Sequence, residues 1–251
     1  MCDDCGCGDP ERVPVEIAES LLAGNAATAR HNREHFDRHG VLAINLMGSP
    51  GSGKTALLEA TARLGSRLRM AAVSGDLATD HDARRLEAAG IPARSITTGS
   101  ACHLDAAMVH EALHHVDLHA LDVFVVENVG NLVCPAVYEL GTHANVVALA
   151  VTEGDDKPLK YPVMFRGADL VVITKLDLLP HVDCQLDRLD DALARTMPEP
   201  RRIRLSARTG EGVDDWLEWL ARRHAAVLDA AARAASGTHH HPHHAPAAPE
   251  L

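Results

Sequence analysis

The chain has 251 residues, enough to bury a core in one domain with tails, and no apolar run long enough to span a bilayer. Its formal net charge of −11 argues against nucleic acid as a main partner, and its 3% of aromatic residues leave a core built from Leu, Val, Ala and Ile. No charged segment followed by an apolar stretch opens the sequence, so the expected location is the cytoplasm, where clustered cysteines bind metal more often than they pair.

Residues 1–10, MCDDCGCGDP, lack apolar periodicity and read as a separate metal-binding motif. Cys2, Cys5 and Cys7 follow C-x-x-C-x-C spacing, so three thiolates can converge on one borderline ion. A terminal amine offers a fourth donor, which suits tetrahedral Zn²⁺ or square-planar Ni²⁺. Asp3 and Asp4 raise the neighbouring thiol pKa values, so the metal must drive deprotonation.

From Pro14 to Arg38, Val15, Ala18, Leu21 and Leu22 recur at helical spacing, and Gly40 stops the helix. His31, His35 and His39 stack on it every four residues. They suit a metal or a solvated polar face. Charged Arg30, Arg33, Glu34, Asp37 and Arg38 favour the solvated face.

Val41 to Met47 reads as one buried strand. The next eight residues, GSPGSGKT, fit G-x-x-x-x-G-K-[ST]. Glycines let the loop backbone approach phosphates, and the helix opening at Gly53 aims its positive end at the same anion. Lys54 can reach the β- and γ-phosphates and the Thr55 hydroxyl can sit on Mg²⁺. Gly48, Gly51, Ser52, Gly53, Lys54, Thr55 and Ala56 are therefore the candidate phosphate contacts.

Strands are predicted at Met70–Val73, Ala93–Ile96, Leu121–Val126, Asn145–Val151, Leu170–Ile173 and Arg202–Leu205. Helices are predicted at Asp80–Ala89, Leu104–Val116, Val182–Thr196 and Val213–Ala235. This alternation implies an α/β P-loop NTPase fold over 11–236, a mostly parallel sheet flanked by helices on both faces. Asp76 and Glu127, at strand ends beside the P-loop, are candidates to hold Mg²⁺. Asp80 is a candidate for positioning water, since no glutamine or arginine finger stands out.

Thr174-Lys175-Leu176-Asp177 is similar to the guanine-specificity motif of GTPases, with Thr where Asn is usual. The Asp177 carboxylate can accept from guanine N1–H and the exocyclic amine, and the Lys175 stem can cover the base. Ser206-Ala207-Arg208 resembles the S-A-K loop, whose backbone touches the guanine oxygen. Together these point to GTP. Cys102-His103 and Cys134 place soft ligands in two loops near the nucleotide, too few for a closed site without a second subunit or water. Cys184 reads as an inert core residue. In residues 237–251 the tract from His239 to His244 reads as a native tail that buffers metal loosely.

The stretches MCDDCGCG, LMGSPGSGKT, GSACHLD, VVENVGNLVCPA and VTEGDDKPLKYP resemble the HypB family, GTPases that help insert nickel into NiFe hydrogenase. The resemblance runs from Met1 to about Ala221. It implies a tight nickel site at Cys2, Cys5 and Cys7. It implies a second site for nickel or zinc at Cys102, His103 and Cys134, near a dimer interface. GTP-linked dimerisation, a HypA-type metallochaperone and the hydrogenase large subunit are the implied partners. The histidine tract departs from the family pattern, in which such tracts lie between the Cys motif and the GTPase domain. A urease accessory GTPase shares the S-G-D loop but lacks the terminal C-x-x-C-G-C. A nickel storage protein and a P-loop kinase are the more distant rivals.

Overall fold

The computed structural model describes residues 15–65, 67–76, 80–99 and 103–237. Cys2, Cys5, Cys7, Cys102 and the histidines of the C-terminal tract lie outside them. Among the described residues, seven parallel strands form one sheet in the order β3-β2-β4-β1-β5-β6-β7. They are β1 (Leu42–Met47), β2 (Met70–Asp76), β3 (Ala93–Thr97), β4 (Val123–Glu127), β5 (Ala144–Ala150), β6 (Leu170–Thr174) and β7 (Arg202–Arg204).

β1 is central because it is apolar on both faces. All six of its residues are buried, and it pairs with β4 on one side and β5 on the other. Leu42, Ile44 and Leu46 face one layer. That layer holds α2 (Lys54–Arg63), α3 (His81–Ala88) and α8 (Val213–Gly237), through Leu57, Leu58, Leu86, Trp216 and Leu220. The opposite face of the sheet is covered over β1, β2 and β4 by α1 (Val15–His39) and α4 (Ala106–Leu113), with Phe36, Val109 and Leu113 against Ala43, Phe124 and Val126. Over β5 and β6 that face is covered by α6 (Pro162–Arg166) and α7 (Leu186–Thr196), where Phe165, Leu189 and Leu193 meet Val147, Val171 and Ile173. Helices on both faces and a parallel sheet agree with the expectation from the sequence.

Each strand expected from the sequence is present, with shifted ends. β2 runs on to Asp76 and β4 begins at Val123. The helix expected from Val182 starts only at Leu186, because a 3₁₀ turn over Leu176–His181 that contains Pro180 occupies the approach. α4 starts at Ala106, where the Asp105 carboxylate accepts from the Met108 N–H at 2.8 Å and caps it. The short helices α5 (Lys157–Lys160) and α6 were not foreseen, since four or five residues carry no helical period. No helix of the described residues is long and apolar enough to cross a membrane.

Candidate functional site

The P-loop leaves the carboxyl end of β1, where ligands of open α/β sheets bind. Its geometry requires glycine at Gly48. The residue has φ 148°, and a Cβ there would lie 2.4 Å from the Ala148 carbonyl oxygen and 2.6 Å from Ser52 Oγ. Gly53 (φ 95°) caps α2, so the first N–H groups of that helix open toward the loop.

Lys54 is buried and folds back over the loop, donating from Nζ to the carbonyls of Gly48 at 3.3 Å and Ser49 at 3.2 Å. Burial lowers its pKa, and the nearby Glu127 carboxylate opposes that shift. The Thr55 hydroxyl donates to Glu127 Oε1 at 2.7 Å. Glu127 ends β4 in a nearly dry position, and burial pushes its carboxyl up to about 7. Its Oε2 and the Ser52 hydroxyl are buried without a hydrogen-bond partner. Two orphaned polar atoms beside a glycine cradle are the state expected of a site that receives a polar ligand. They fit a phosphate chain with its Mg²⁺, which Thr55 and Glu127 would hold.

Above the loop lies a cavity of about 510 Å³, lined by Lys54, Thr55, Ala56, Asp76, Glu127 and Lys175 among others. The structure thus brings together the P-loop, both candidate Mg²⁺ carboxylates and Lys175 of the base motif. It also adds Asp82 and Arg85 from α3 to the lining. Arg85 is held by a two-pronged pair with Glu59, at 2.9 and 2.8 Å, and by Asp82 at 3.3 Å. No signal in the sequence singled out these two, because the face of α3 that meets the cavity is set by packing. Asp80 is exposed and pairs with Arg84 at 2.7 Å, so it does not line the cavity as expected of a water-positioning group.

On the base side, Lys175 is the one non-glycine residue with positive φ (60°) among the described residues. Such a conformation costs free energy and clusters at functional sites. It follows Thr174, whose hydroxyl donates to the Ser52 carbonyl at 2.6 Å. The Thr in place of the usual Asn therefore ties the end of β6 to the P-loop. Ser206, fully buried, donates from Oγ to Asp177 Oδ1 at 2.6 Å and accepts from the Thr209 N–H at 3.2 Å. This fixes one carboxylate oxygen of Asp177. The Ala207 carbonyl is taken by Arg63.

The second candidate metal group is partly described. His103 stacks on Tyr138, with centroids 3.8 Å apart, and burial lowers its pKa against the opposing charge of Asp105. Cys134 opens a short 3₁₀ turn, Cys134–Ala136, and is half-buried. Exposed Val133 (57%) and Val137 (49%) flank it. The loop from Glu127 to Cys134 is joined to the P-loop. Asn131 bridges Gly48 in antiparallel fashion, and a Cβ on Gly130 would lie 2.9 Å from the Pro50 nitrogen. Gly130 is thus required by close approach to Pro50, whereas a turn without structure would ask only for backbone freedom.

Asn128 extends that joint. Its Oδ1 accepts from the N–H groups of Leu104 (3.1 Å) and Val129 (2.9 Å), and its Nδ2 donates to Asn45 Oδ1 at 3.0 Å. One buried amide therefore ties β1, the residue after His103 and the loop toward Cys134. Asn45 inside an apolar strand was the available signal of this network.

Residues 42–203 match the model of the CobW/HypB/UreG nucleotide-binding domain. A curated relative, the hydrogenase maturation factor HypB of Cupriavidus necator, is 42% identical over 259 residues, covering 87% of this chain and 72% of that protein. Among solved structures, HypB from Helicobacter pylori in complex with nickel is 38% identical with a TM-score of 0.78, covering 80% of this chain and 95% of that one. HypB from Archaeoglobus fulgidus is 38% identical with a TM-score of 0.74, covering 81% and 100%. The chain belongs to the CobW/HypB/UreG nucleotide-binding family, within its HypB branch of hydrogenase maturation factors.

Proposed function

We propose that the chain hydrolyses GTP to GDP and phosphate and uses that cycle to deliver nickel, its cargo, into NiFe hydrogenase during maturation. The observation that carries this reading is the joint between the P-loop and the loop that bears Cys134, made by the Asn131–Gly48 bridge and the Gly130–Pro50 contact. A loop in register with the phosphate cradle has a physical reason to differ between triphosphate and diphosphate states.

In this reading Lys54 binds the β- and γ-phosphates, and the backbone of Gly48, Gly51, Ser52, Gly53 and Ala56 cradles the chain. Thr55, Glu127 and Asp76 hold Mg²⁺ directly or through water; Mg²⁺ neutralises charge on the phosphate oxygens when bound. Asp177, oriented by Ser206, accepts from guanine, Lys175 covers the base, and the Ala207 N–H meets the guanine oxygen. Arg85 supplies positive charge at the cavity wall, held in place by Glu59.

Cys2, Cys5 and Cys7 bind nickel tightly, and Cys102, His103 and Cys134 bind nickel or zinc. The exposed Val133 and Val137 beside Cys134 favour a second copy covering that surface, so the ligand set is completed across a homodimer. A HypA-type metallochaperone and the hydrogenase large subunit exchange the ion with it in the cytoplasm.

The test is Ni²⁺ affinity in a full-length variant whose Cys2, Cys5 and Cys7 are changed to Ala, compared between GDP and a non-hydrolysable GTP analogue. The expected difference is about 5–150-fold, the usual scale of coupling between two sites. It should vanish in Cys134→Ala while nucleotide binding persists. Equal affinities in the two nucleotide states would refute the coupling.

A further inference from the structure

The sequence brought His31, His35 and His39 to one face of α1, and the structure changes that grouping. His39 turns away: its Nδ1 bonds the His35 carbonyl at 2.7 Å and its ring meets His119 edge-on, with centroids 4.5 Å apart. Its place is taken by His110 from α4, which packs across α1. One ring nitrogen each from His31, His35 and His110 lies within 4.8 Å of the others. We propose that His31, His35 and His110 form a binding site for a borderline divalent transition-metal ion, separate from the cysteine sites and from the nucleotide cavity.

Two observations carry it. The first is spacing. His31 Nε2 and His35 Nε2 face each other at 3.1 Å. Imidazole nitrogens bind such ions at about 2.0–2.1 Å, which puts two neighbouring ligands about 3.0–3.4 Å apart. Residues four apart on a helix share one face, so backbone geometry holds this pair.

The second is the outer partner of His110. Asn32 is fully buried, and its Nδ2 donates to the carbonyls of Ala106 at 2.8 Å and Leu140 at 3.2 Å. Both amide protons are thereby used inward, which assigns Oδ1 to the contact with His110 Nδ1 at 3.0 Å. An oxygen there only accepts, so Nδ1 carries the proton and Nε2 keeps the lone pair. Ligating histidines are oriented in this way, by donating their other N–H to an oxygen. Glu34 stands at the outer nitrogen of His31, 3.9 Å from Nδ1.

His31 is exposed and the other two are half-buried, so the ion keeps open positions for water or a further ligand such as His114, whose ring lies 4.9 Å from that of His110. Three ligands with an open side suit an ion held for exchange, whereas closed four-ligand sites hold ions for structure.

The experiment uses full-length chain in which Cys2, Cys5, Cys7, Cys102 and Cys134 are changed to Ser and the histidines within 239–244 to Gln. Titration calorimetry with Ni²⁺ and with Zn²⁺ should find one ion per chain. His35→Gln or His110→Gln should weaken it by more than about a hundredfold, beyond the roughly 10–100-fold cost of losing an outer partner. His39→Gln should leave it unchanged. No binding, or binding that survives both ligand substitutions, would overturn the site. A second measurement needs no ligand variant. In the unaltered chain, Co²⁺ added beyond saturation of the thiolates should shift the ring-proton signals of His31, His35 and His110 together. Shifts that fall first on His39 and His119 would overturn it equally.

Discussion

The carboxyl edge of the sheet and the outer face of the α1–α4 pair both gather polar side chains, and they do so by different means. At the carboxyl edge the groups sit on loops at strand ends, and the backbone sets their positions. Gly48 is demanded by the Ala148 carbonyl, Gly130 by Pro50, and Lys175 is held at a positive φ. Two of the atoms gathered there, Glu127 Oε2 and Ser52 Oγ, are buried and unpartnered. On the helical face the rings sit on regular helices, and only the crossing of α1 and α4 brings His110 to His31 and His35. There His31 Nε2 and His35 Nε2 contact each other and His110 Nδ1 donates to Asn32. A loop site is thus kept ready by covalent geometry and burial, whereas a helix-face site depends on how two helices pack.

The largest effect expected tests that separation. Lys54→Ala should lower GTP turnover by about 10²–10³-fold, the scale for losing a preorganised donor to developing charge. Phosphate release measures it, and Ni²⁺ binding at His31, His35 and His110 should not change. Loss at both places would show that the two regions are one.

Next is the base motif. Asp177→Asn should weaken GDP on the order of a hundredfold, because hydrogen bonds to a charged group are worth about 1.5–3 kcal/mol each. The amide should gain xanthine nucleotide, which offers an acceptor where guanine offers a donor. Tighter ADP than GDP binding by the parent chain would discard the assignment. Ser206→Ala should act in the same direction by about tenfold, the cost of one lost orienting bond.

A smaller change sharpens the contrast. Gly130→Ala forces a Cβ to within 2.9 Å of the Pro50 backbone. Displacing the P-loop in this way should weaken nucleotide binding by about tenfold, within the roughly 1–3 kcal/mol of overpacking. An equally small side chain added on the helical face, Ala107→Ser at an exposed position, should leave nucleotide affinity where it was.

The smallest effect lies where α1 meets the opposite edge of the sheet. The Ala43 N–H donates to His143 Nδ1 at 3.0 Å, so Nε2 carries the proton and donates to Asp37 at 2.8 Å. Burial lowers the pKa of His143, against the Asp37 carboxylate. The unfolded chain therefore binds a proton at His143 that the native one resists, so the His143 contribution to stability is lost as pH drops below 6.5, while the raised Glu127 carboxyl acts in the opposite direction over the same range. Between pH 7.5 and 5 the urea midpoint of the parent chain should fall relative to that of His143→Gln, which keeps an acceptor for Ala43 and leaves Glu127 as it is. A difference between the two chains that does not change with pH would remove His143 from this role.

Much of the fold and of the carboxyl edge was legible in the sequence, because the signals there are local. A six-residue apolar run makes β1, and the eight residues after it make the phosphate cradle. Asp76 and Glu127 come to the cavity together because strands announce their own ends and parallel topology sends those ends to one side. Arg85 and Asp82 were not legible, since the rotation of α3 about its axis is settled by Leu86 and Ala83 against the sheet. Asp80, adjacent in sequence to that helix, was misplaced for the same reason.

Short-range patterns were therefore determined by the sequence alone: the phosphate loop, the T-K-L-D stretch at the end of β6, the terminal cysteine spacing and the alternation that builds a parallel sheet. What only the tertiary structure decided were contacts across long stretches of chain. It replaced His39 by His110, used Thr174 to tie β6 to the P-loop, and packed Gly130 against Pro50. The physical reason is that periodicity names the face a residue occupies, while the neighbour across that face is chosen by the packing of buried apolar side chains elsewhere in the molecule.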